Sequence, residues 1–478
     1  MRYSAGNQDA HVGTAALGCP VERSSTAPWS PPEICDSKLP LVKPSTRYNL
    51  SMRFRIFIAL VLVTAAFAQV APKSVTIPIT LDHDRVVIDV YLPLPDGTTK
   101  RIRGWVDNGN ADLTMSRRAA TLMGLNVTCD DKACTAPPPA AIMLHDAKTG
   151  GMKTGDMKIS LANIKEVKIP LKPVSAASVM VPGMSAEINL PASVLRHYDV
   201  LIDFPDREFT IAQPGTLKFK GISSKVLVNA ETGLIQVPSQ IENKKYNLAL
   251  DVGASISFLS QDLFDKLQAA HPDWPHMTGA IGPANMWGWA EEPAWKLLRV
   301  DRLHFGPLYL TSVPTTGFPK DVMDWFEKRA GIATIGLLGS NALLNYRIGL
   351  DYAHSTVYFD IGSTFKAPDF DVIGFTLRPE DDGRFTILGI ADFDGKPSVP
   401  ALSDGIRIGD HLVAVDGIPV PDSTMGQVWS LLEGTPGQER KLRIERNGNQ
   451  FDVVAHVQHF LGEPPEEKDT KKKSKPKN

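Results

Sequence analysis

Two stretches of alternating apolar and polar residues each end in an aspartate. Residues 74–92 alternate in this way, residues 95–97 (PDG) form a turn, and a second strand-like run ends at Asp107. This pattern predicts a β-hairpin that carries Asp107 at the end of its second strand. Residues 234–251 repeat the plan around a turn at 242–244, which predicts an equivalent hairpin ending at Asp251.

The residues around these two aspartates also repeat. Each aspartate is followed nine residues later by a serine, Ser116 or Ser260, and then by a helical pattern. Residues 198–204 and 346–352 share the order Tyr-x-apolar-x-apolar-Asp-aromatic. The copies are offset by 144 residues for the aspartates at 107 and 251 and by 148 for those at 203 and 351. An offset of this length indicates a duplicated lobe rather than a solenoid repeat.

With these motifs, residues 74–362 resemble the aspartic proteases, specifically the retropepsin-like bacterial ones. Members of that family carry Asp-Thr/Ser-Gly-Ala/Ser in each lobe, and later two apolar residues and a glycine ahead of a short helix. Residues 335–340 (IGLLGS) match the later element, whereas residues 187–191 (EINLP) lack its glycines. The resemblance implies a mainly β, pepsin-like fold of two duplicated lobes, 74–215 and 221–362, with a catalytic cleft between them.

The chemistry that this resemblance implies is hydrolysis of peptide bonds by a water molecule held between Asp107 and Asp251. Two carboxyl groups a few ångströms apart share one proton, so that one acts as a base on the water and the other donates to the carbonyl oxygen. The sequence leaves open which aspartate carries the proton. Gly109 and Gly253 allow the two loops to approach closely.

The loop residues depart from the family pattern in several places. The hydroxyl residue after each aspartate is replaced by Asn108, which can still hydrogen-bond, and by Val252, which cannot. Asn110 is unusual for the family, whereas Ala254 matches it. Because both aspartates are intact, the sequence favours an active, exported endopeptidase. The departures leave the alternative of a catalytically weakened or inactive peptide-binding protein of the same fold.

Residues 370–460 resemble a PDZ domain, a small α+β unit. Residues 405–417 follow the pattern G-x-x-x-G-D-x-L-x-x-x-D-G, and Ser423 is expected to cap a helix over 424–432. The resemblance implies that the backbone N–H groups of Ile373-Gly374-Phe375 capture the terminal carboxylate of a peptide, which adds as a strand beside them. A domain that only packs on the protease lobes is the alternative that stays open.

A more variable region lies between each aspartate and the closing strand of its lobe. The first includes residues 137–151, and the second includes residues 279–289, which combine glycines with Trp287 and Trp289. Such a composition is typical of a mobile flap over a cleft. The alternative is that these tryptophans and Trp295 pack on the core of their own lobe.

The composition of the chain and the motifs that it lacks exclude several classes of function. The 478 residues are 43% apolar and 22% charged with a formal net charge of −2, which suits a globular protein of two or three domains and indicates no nucleic-acid binding. The chain has no Gly-x-Ser-x-Gly elbow, no His-Glu-x-x-His motif and no phosphate-binding glycine loop. We therefore expect no metal or other cofactor. The expected partners are peptide or protein substrates and peptides with a free C terminus.

The amino-terminal region carries an export signal. Met52 begins a short basic segment, residues 56–67 are almost wholly apolar, and residues 66–68 (AFA) form a cleavage site ahead of Gln69. The apolar run is shorter than the about 20 residues that span a bilayer. The mature chain is thus expected in the periplasm or the extracellular medium, with no stable membrane span. Residues 52–68 are then the signal peptide, and residues 1–51 are an upstream artefact without ordered structure.

Two smaller features complete the sequence. Export permits a disulfide between Cys129 and Cys134, a pairing that the sequence leaves open, and no His ligands stand near them at zinc-site spacing. Residues 461–478 are rich in lysine and are expected to form a disordered tail.

Overall fold

The computed structural model describes residues 73–131, 133–146, 156–170, 186–279, 292–362, 371–380, 382–393, 396–397, 405–459 and 461. The predicted signal peptide, the segment upstream of it and residues 462–478 of the predicted tail lie outside the described residues. So do residues 280–291, which include Trp287 and Trp289.

The first half of the protein, residues 74–215, is built almost entirely of short strands. They are β1 (Ser74–Pro78), β2 (Thr80–Asp82), β3 (Arg85–Pro93), β4 (Thr99–Asp107), β5 (Thr128–Cys129), β6 (Cys134–Ala136), β7 (Ala141–His145), β8 (Asp156–Ser160), β9 (Val167–Ile169), β10 (Ile188–Pro191), β11 (Asp199–Asp203) and β12 (Glu208–Ala212).

The second half, residues 221–362, contains longer strands. They are β13 (Ile222–Lys225), β14 (Leu227–Val228), β15 (Ile235–Ile241), β16 (Lys244–Leu250), β17 (Ser257–Ser260), β18 (His276–Thr278), β19 (Lys296–Phe305), β20 (Leu308–Phe318), β21 (Gly336–Leu338), β22 (Tyr346–Asp351) and β23 (Thr356–Ile361).

The C-terminal domain adds the remaining strands. They are β24 (Asp371–Val372), β25 (Phe375–Pro379), β26 (Phe385–Ile390), β27 (Asp392–Phe393), β28 (Lys396–Pro397), β29 (His411–Val415), β30 (Ile418–Pro419), β31 (Glu439–Arg446), β32 (Asn449–His456) and β33 (Gln458–His459).

Helices are few and short in the part of the chain that the structure describes. The α-helices are α1 (Arg117–Leu122), α2 (Ala192–Leu195), α3 (Gln261–Ala270), α4 (Lys320–Ala330) and α5 (Met425–Leu432), and three 3-10 turns cover Glu292–Ala294, Ser340–Ala342 and Tyr352–His354. The fold is therefore mostly β, as predicted. None of these helices is long and apolar enough to cross a membrane.

A six-stranded antiparallel sheet joins the two halves. Its order is β1-β12-β11-β22-β23-β13, so that the two segments with the repeated Tyr-to-Asp pattern lie side by side at its centre. Val200 pairs with Leu350 and Ile202 with Ile348, and all four side chains are buried in one apolar core that runs through both halves. Burial of these alternating apolar residues holds the halves together.

The two predicted hairpins form the same arrangement in each half. In the first half, β3 pairs antiparallel with β4, and β10 lies parallel to β4 on its other side. In the second half, β15 pairs antiparallel with β16, and β21 lies parallel to β16. The segment that fits the family motif poorly, residues 187–191, thus occupies the position that residues 335–339 occupy in the second half.

The helices predicted after the two serines are present. The Ser116 hydroxyl accepts a hydrogen bond from the Ala119 N–H and caps α1. The Ser260 hydroxyl does the same for α3 by accepting from the Leu263 N–H. These caps satisfy amide groups that the first turn of a helix leaves without partners.

The C-terminal domain has its own sheet, in the order β25-β26-β29-β31-β32, with α5 packed against it. The expectation that Ser423 caps this helix is wrong, because Thr424 is the N-cap and forms a capping box with Gln427. Thr424 has the extended backbone that a cap requires, and α5 begins one residue later, at Met425. Val428 and Leu432 of α5 are buried against this sheet.

The C-terminal domain packs on the second half of the protein. Strand β18 pairs with β27 through Thr278 and Asp392, which extends the sheet of the second half into the C-terminal domain. Trp295 and Met277 belong to the same buried apolar cluster as Phe375 and Leu377. The C-terminal domain and the second half therefore share one apolar core.

Candidate active site

Asp107 and Asp251 both stand where a buried strand ends and a glycine-containing turn begins. Strand β4 ends at Asp107, and β16 ends at Leu250, one residue before Asp251. Val106 and Leu250 are fully buried, and the two aspartates are only 3% and 7% exposed. The apolar residues that precede each aspartate therefore carry its carboxyl group into the interior.

The glycines of the two turns allow the carboxyl groups to meet. A Cβ placed on Gly253 would lie 2.5 Å from Asp107 Oδ1 and 3.0 Å from Asp251 Oδ1, and a Cβ on Gly109 would overlap the Asp251 carboxyl group. Each glycine thus packs against the aspartate of the other half. The Oδ1 atoms of Asp107 and Asp251 both lie within 3.0 Å of the position of this Cβ on Gly253, so the two carboxyl groups are neighbours. The structure thus brings the predicted pair together.

The two carboxyl groups have different hydrogen-bond donors. Asp251 Oδ1 accepts from the backbone N–H of Gly253 at 2.8 Å and of Ala254 at 3.2 Å. The backbone N–H of Gly109 also donates to Asp251. Fixed backbone donors of this kind stabilise the ionised form of a carboxyl group.

Asp107 is held by side chains instead. Asn189 Nδ2 donates to Asp107 Oδ2 at 3.1 Å, and the Asn110 side chain also hydrogen-bonds to Asp107. Asn110 Oδ1 accepts from the Asp112 N–H at 3.0 Å, so the same side chain braces its own loop. Asn110, unusual for the family, therefore contacts the predicted pair directly.

Burial raises the pKa of both aspartates. Burial and then the charge of Asp251 raise the pKa of Asp107 to about 8. Burial raises the pKa of Asp251 to about 6, against the lowering effect of its three backbone donors. Between these values the pair holds one proton. The donors favour Asp251 as the ionised member and Asp107 as the protonated one.

Asn108 connects the two halves next to the carboxyl groups. Its Nδ2 donates to Leu250 O at 2.8 Å, and its Oδ1 accepts from the Val252 N–H at 2.8 Å. Asn108 therefore ties the backbone on both sides of Asp251. Val252 makes no such side-chain bond and is fully buried, while the Ser340 hydroxyl donates to Val252 O at 2.8 Å.

Asn189 is a site residue that the sequence did not single out. It is fully buried on β10, where it lies beside Trp105 of β4. Besides Asp107, its Nδ2 donates to Asp112 O at 2.9 Å, and its Oδ1 accepts from the Thr114 N–H at 2.7 Å. Asn189 precedes Leu337 by 148 residues, the same offset as between the aspartates at 203 and 351. This spacing puts a polar residue where the second half has an apolar one, and it is the feature of the sequence that could have indicated Asn189.

The flap prediction for residues 279–289 is tested only at its margins. Gly279 is described, and its N–H donates to Trp295 O at 2.6 Å. Trp295 is buried and lies edge-on to Phe258 at a centroid distance of 6.2 Å. For Trp295, the alternative of core packing is therefore the observed one.

The predicted peptide-binding loop of the C-terminal domain is buried. Ile373 and Phe375 are 0% and 1% exposed, and Gly374 lies buried between them. The Ile373 N–H donates to Leu432 O at 3.2 Å, and the Phe375 N–H donates to Ile373 O at 3.0 Å. Two of the N–H groups that the prediction assigns to a peptide carboxylate thus already have backbone acceptors.

Cys129 and Cys134 form a disulfide across the β5–β6 pair. The Arg117 guanidinium lies against both sulfur atoms. Over the residues with described positions, no group of three or more His, Cys, Asp or Glu side chains could hold a metal ion.

Comparisons with known proteins give a family match for the C-terminal domain. The PDZ domain family matches residues 372–457, so the predicted PDZ domain is confirmed. No curated protein sequence matches the chain. Among solved structures the chain is similar to an aspartic proteinase from Irpex lacteus, with 12% identity, 61% of this chain and 98% of that chain covered, and a TM-score of 0.35.

Proposed function

We propose that this protein is an exported aspartic endopeptidase in which Asp107 and Asp251 form the catalytic dyad. The observation that carries the proposal is the meeting of two buried carboxyl groups, each on a strand-end Asp-x-Gly turn and each packed on the glycine of the other half. Two carboxyl groups held in this way share one proton, as general acid–base hydrolysis of an amide requires.

In this mechanism Asp251 is the base and Asp107 is the acid. Asp251 takes a proton from the water as its oxygen attacks the scissile carbonyl carbon, and Asp107 gives its proton to the carbonyl oxygen. The tetrahedral intermediate then collapses. The C–N bond breaks as Asp251 passes its proton to the leaving nitrogen, and the hydroxyl proton of the intermediate returns to Asp107. Both carboxyl groups end in their starting states.

Two residues that depart from the family motif, Asn108 and Asn189, make contacts that favour activity. Asn108 replaces the family hydroxyl with a side chain that both donates and accepts across the two halves. Asn189 supplies a donor to Asp107 in the segment that lacks the family's glycines. These contacts keep both carboxyl groups oriented, although the residues differ from those of the family.

The PDZ domain gives the enzyme a second means of holding extended chains. Strand β25 is at the edge of its sheet as described, so that a peptide could add beside it. Phe375, Thr376 and Leu377 of β25 are buried, as the loop at 373–375 is, so both modes of docking require this edge to open. A peptide with a free C terminus and its amidated form, titrated into the full chain, separate the two modes: carboxylate capture requires tighter binding of the free form.

Cleavage of an unfolded protein substrate tests the catalytic proposal. Asp107→Asn, Asp251→Asn and the double variant should each lose nearly all turnover while they fold normally, and the double variant should be scarcely worse than either single one. Asp96→Asn, in the exposed turn of the same hairpin, is the matched control and should keep full activity.

Two results would oppose the proposal. Full activity of folded Asp251→Asn would exclude the dyad mechanism. Binding of the substrate without cleavage, equal in the natural chain and in both variants, would instead assign the protein as a peptide-binding protein, an alternative that the PDZ domain favours.

The pH dependence of turnover follows from the two pKa values. With pKa values of about 6 for Asp251 and about 8 for Asp107, kcat/KM should follow a bell with its maximum near neutral pH. A maximum below pH 5 would show that burial does not raise the two pKa values as the structure indicates.

A further inference from the structure

Arg85 is a buried cation on the strand beside Asp107. It begins β3 and is 1% exposed. Val87 of β3 pairs with Trp105 of β4 at the end of this ladder, so Arg85 and Asp107 each lie two residues beyond the last pair. Burial raises the pKa of the Asp107 carboxyl group, and the hydrogen bonds from Asn189 and Asn110, followed by the positive charge of Arg85, lower it.

Arg85 is fixed by its own hairpin. Its Nε donates to Asp82 O at 3.3 Å, its guanidinium forms an ion pair with the Asp82 carboxylate at 3.8 Å, and its Cζ lies 5.8 Å from the Trp105 ring centroid. Asp82 and Arg85 flank a two-residue turn in which His83 and Asp84 have φ values of 52° and 62°. This tight turn brings the two charged residues together.

The PDZ helix α5 closes over this turn. The Thr424 hydroxyl donates to Asp82 Oδ1 at 2.8 Å, between residues 342 positions apart in the chain. A Cβ on Gly426 would overlap Asp82, so the first turn of α5 requires glycine for this approach. The His83 ring lies edge-on to Trp429 at 6.2 Å. Asp82 is thus shared between the PDZ helix and Arg85.

We propose that Arg85 is a positioning residue that sets the acid–base balance of the dyad, and that the PDZ helix holds Arg85 in place through Asp82. The proposal rests on the proposed function, because it assigns Arg85 a part in the same reaction. It also gives the PDZ domain a structural part in the catalytic centre.

The charges around Arg85 explain why a fixed cation is needed. A dyad with one proton carries one negative charge in the interior, and a buried charge is costly unless a partner compensates it. The titratable groups that face Arg85 are Asp82, His83 and Asp107, with Asp251 beyond. Burial, then Arg85, lowers the pKa of His83 to about 3, so His83 is neutral and Arg85, itself paired with Asp82, is the cation of this group.

The first experiment measures kcat/KM against pH for the full chain with a peptide substrate. Arg85→Met removes the charge and keeps an unbranched side chain, so the alkaline limb of the bell, which the pKa of Asp107 sets, should move to higher pH. Arg85→Lys keeps the charge and should restore an alkaline limb close to that of the natural chain. A lower rate at every pH with an unmoved alkaline limb in Arg85→Met would overturn the proposal.

The second experiment tests the role of the PDZ helix. Thr424→Val removes the hydroxyl that donates to Asp82 and should move the alkaline limb in the same direction, by less than Arg85→Met. Thr424→Ser keeps the hydroxyl and should not move it. Gln427→Ala, which breaks the capping box but spares the Asp82 contact, is the control for helix stability. Equal shifts in Thr424→Val and Gln427→Ala would refute transmission through Asp82.

Failure of this proposal can be told from failure of the proposed function. If Asp107→Asn and Asp251→Asn stay active, the dyad itself is wrong. If both are inactive and the alkaline limb does not respond to Arg85→Met, only the role of Arg85 is wrong. If Arg85→Met does not fold, the alkaline limbs of Arg85→Lys and Thr424→Val decide, and a Thr424→Val profile without any shift would overturn the proposal.

Discussion

The two hydrogen bonds from Asn108 to Leu250 and Val252 form a bridge to the second half, and their contribution to stability can be worked out from the structure. Asn108→Ala would leave Leu250 O and the Val252 N–H without their partner in the interior. An unsatisfied buried backbone group costs about 1.5 kcal/mol, so the two together should lower the free energy of unfolding by about 3 kcal/mol. Asn108→Thr should lose less, because one hydroxyl can donate to Leu250 O and accept from the Val252 N–H.

Urea unfolding followed by tryptophan fluorescence measures this loss. Asn163→Ala is the matched control, because Asn163 makes only an exposed bond to His197 and its removal should change stability by less than about 0.5 kcal/mol. Both bonds flank Asp251, so Asn108→Ala should also lower kcat/KM by about 100-fold through misplacement of that carboxyl group. An Asn108→Ala variant as stable as the control would refute the claim that this bridge holds the halves together.

Three further outcomes are expected. The pKa of Asp107 is raised to about 8 in the folded state, so the folded protein binds more protons than the unfolded chain above about pH 4, and its stability should fall as the pH rises toward 8. Asp107→Asn should remove its part of that decline and leave the part that the raised pKa of Asp251 causes below about pH 6, and unfolding free energies between pH 4 and 8 that fall in parallel for both proteins would contradict this. Replacing Cys129 and Cys134 by serine should cost about 2 kcal/mol, measured by the urea midpoint under oxidising conditions, because the loop they close is short. N-terminal sequencing of exported protein should begin at Gln69, and a mature chain that still begins near Met1 would refute the export signal.

The sequence predicted those features whose cause is local. Alternation of apolar and polar residues is a property of one strand, so the hairpins that end at Asp107 and Asp251 could be read from it. The helices α1 and α3, predicted after Ser116 and Ser260, also depend on a few neighbouring residues. The cap of α5 was placed at Ser423 instead of Thr424, because either residue can cap and the sequence alone does not fix the first helical turn.

Features that depend on distant residues could not be read from the sequence. Asn189 contacts Asp107 from 82 positions away, and Asn108 contacts Leu250 from 142 positions away. Thr424 reaches Asp82 across 342 positions. Each of these contacts joins a polar side chain to a segment that becomes its neighbour only when the sheets form.

On the proposed mechanism, burial and hydrogen bonds together decide which carboxyl group carries the proton. Asn189 and Asn110 hydrogen-bond to Asp107 and lower its pKa, but burial and the charge of Asp251 outweigh them and keep Asp107 as the protonated member. Asp251 Oδ1 accepts from two backbone N–H groups and is stabilised as the anion. Asn189 stands where the second half has Leu337, so the two halves are chemically unequal, but its hydrogen bond does not reverse the order of the two pKa values, and Asp251 remains the base toward water.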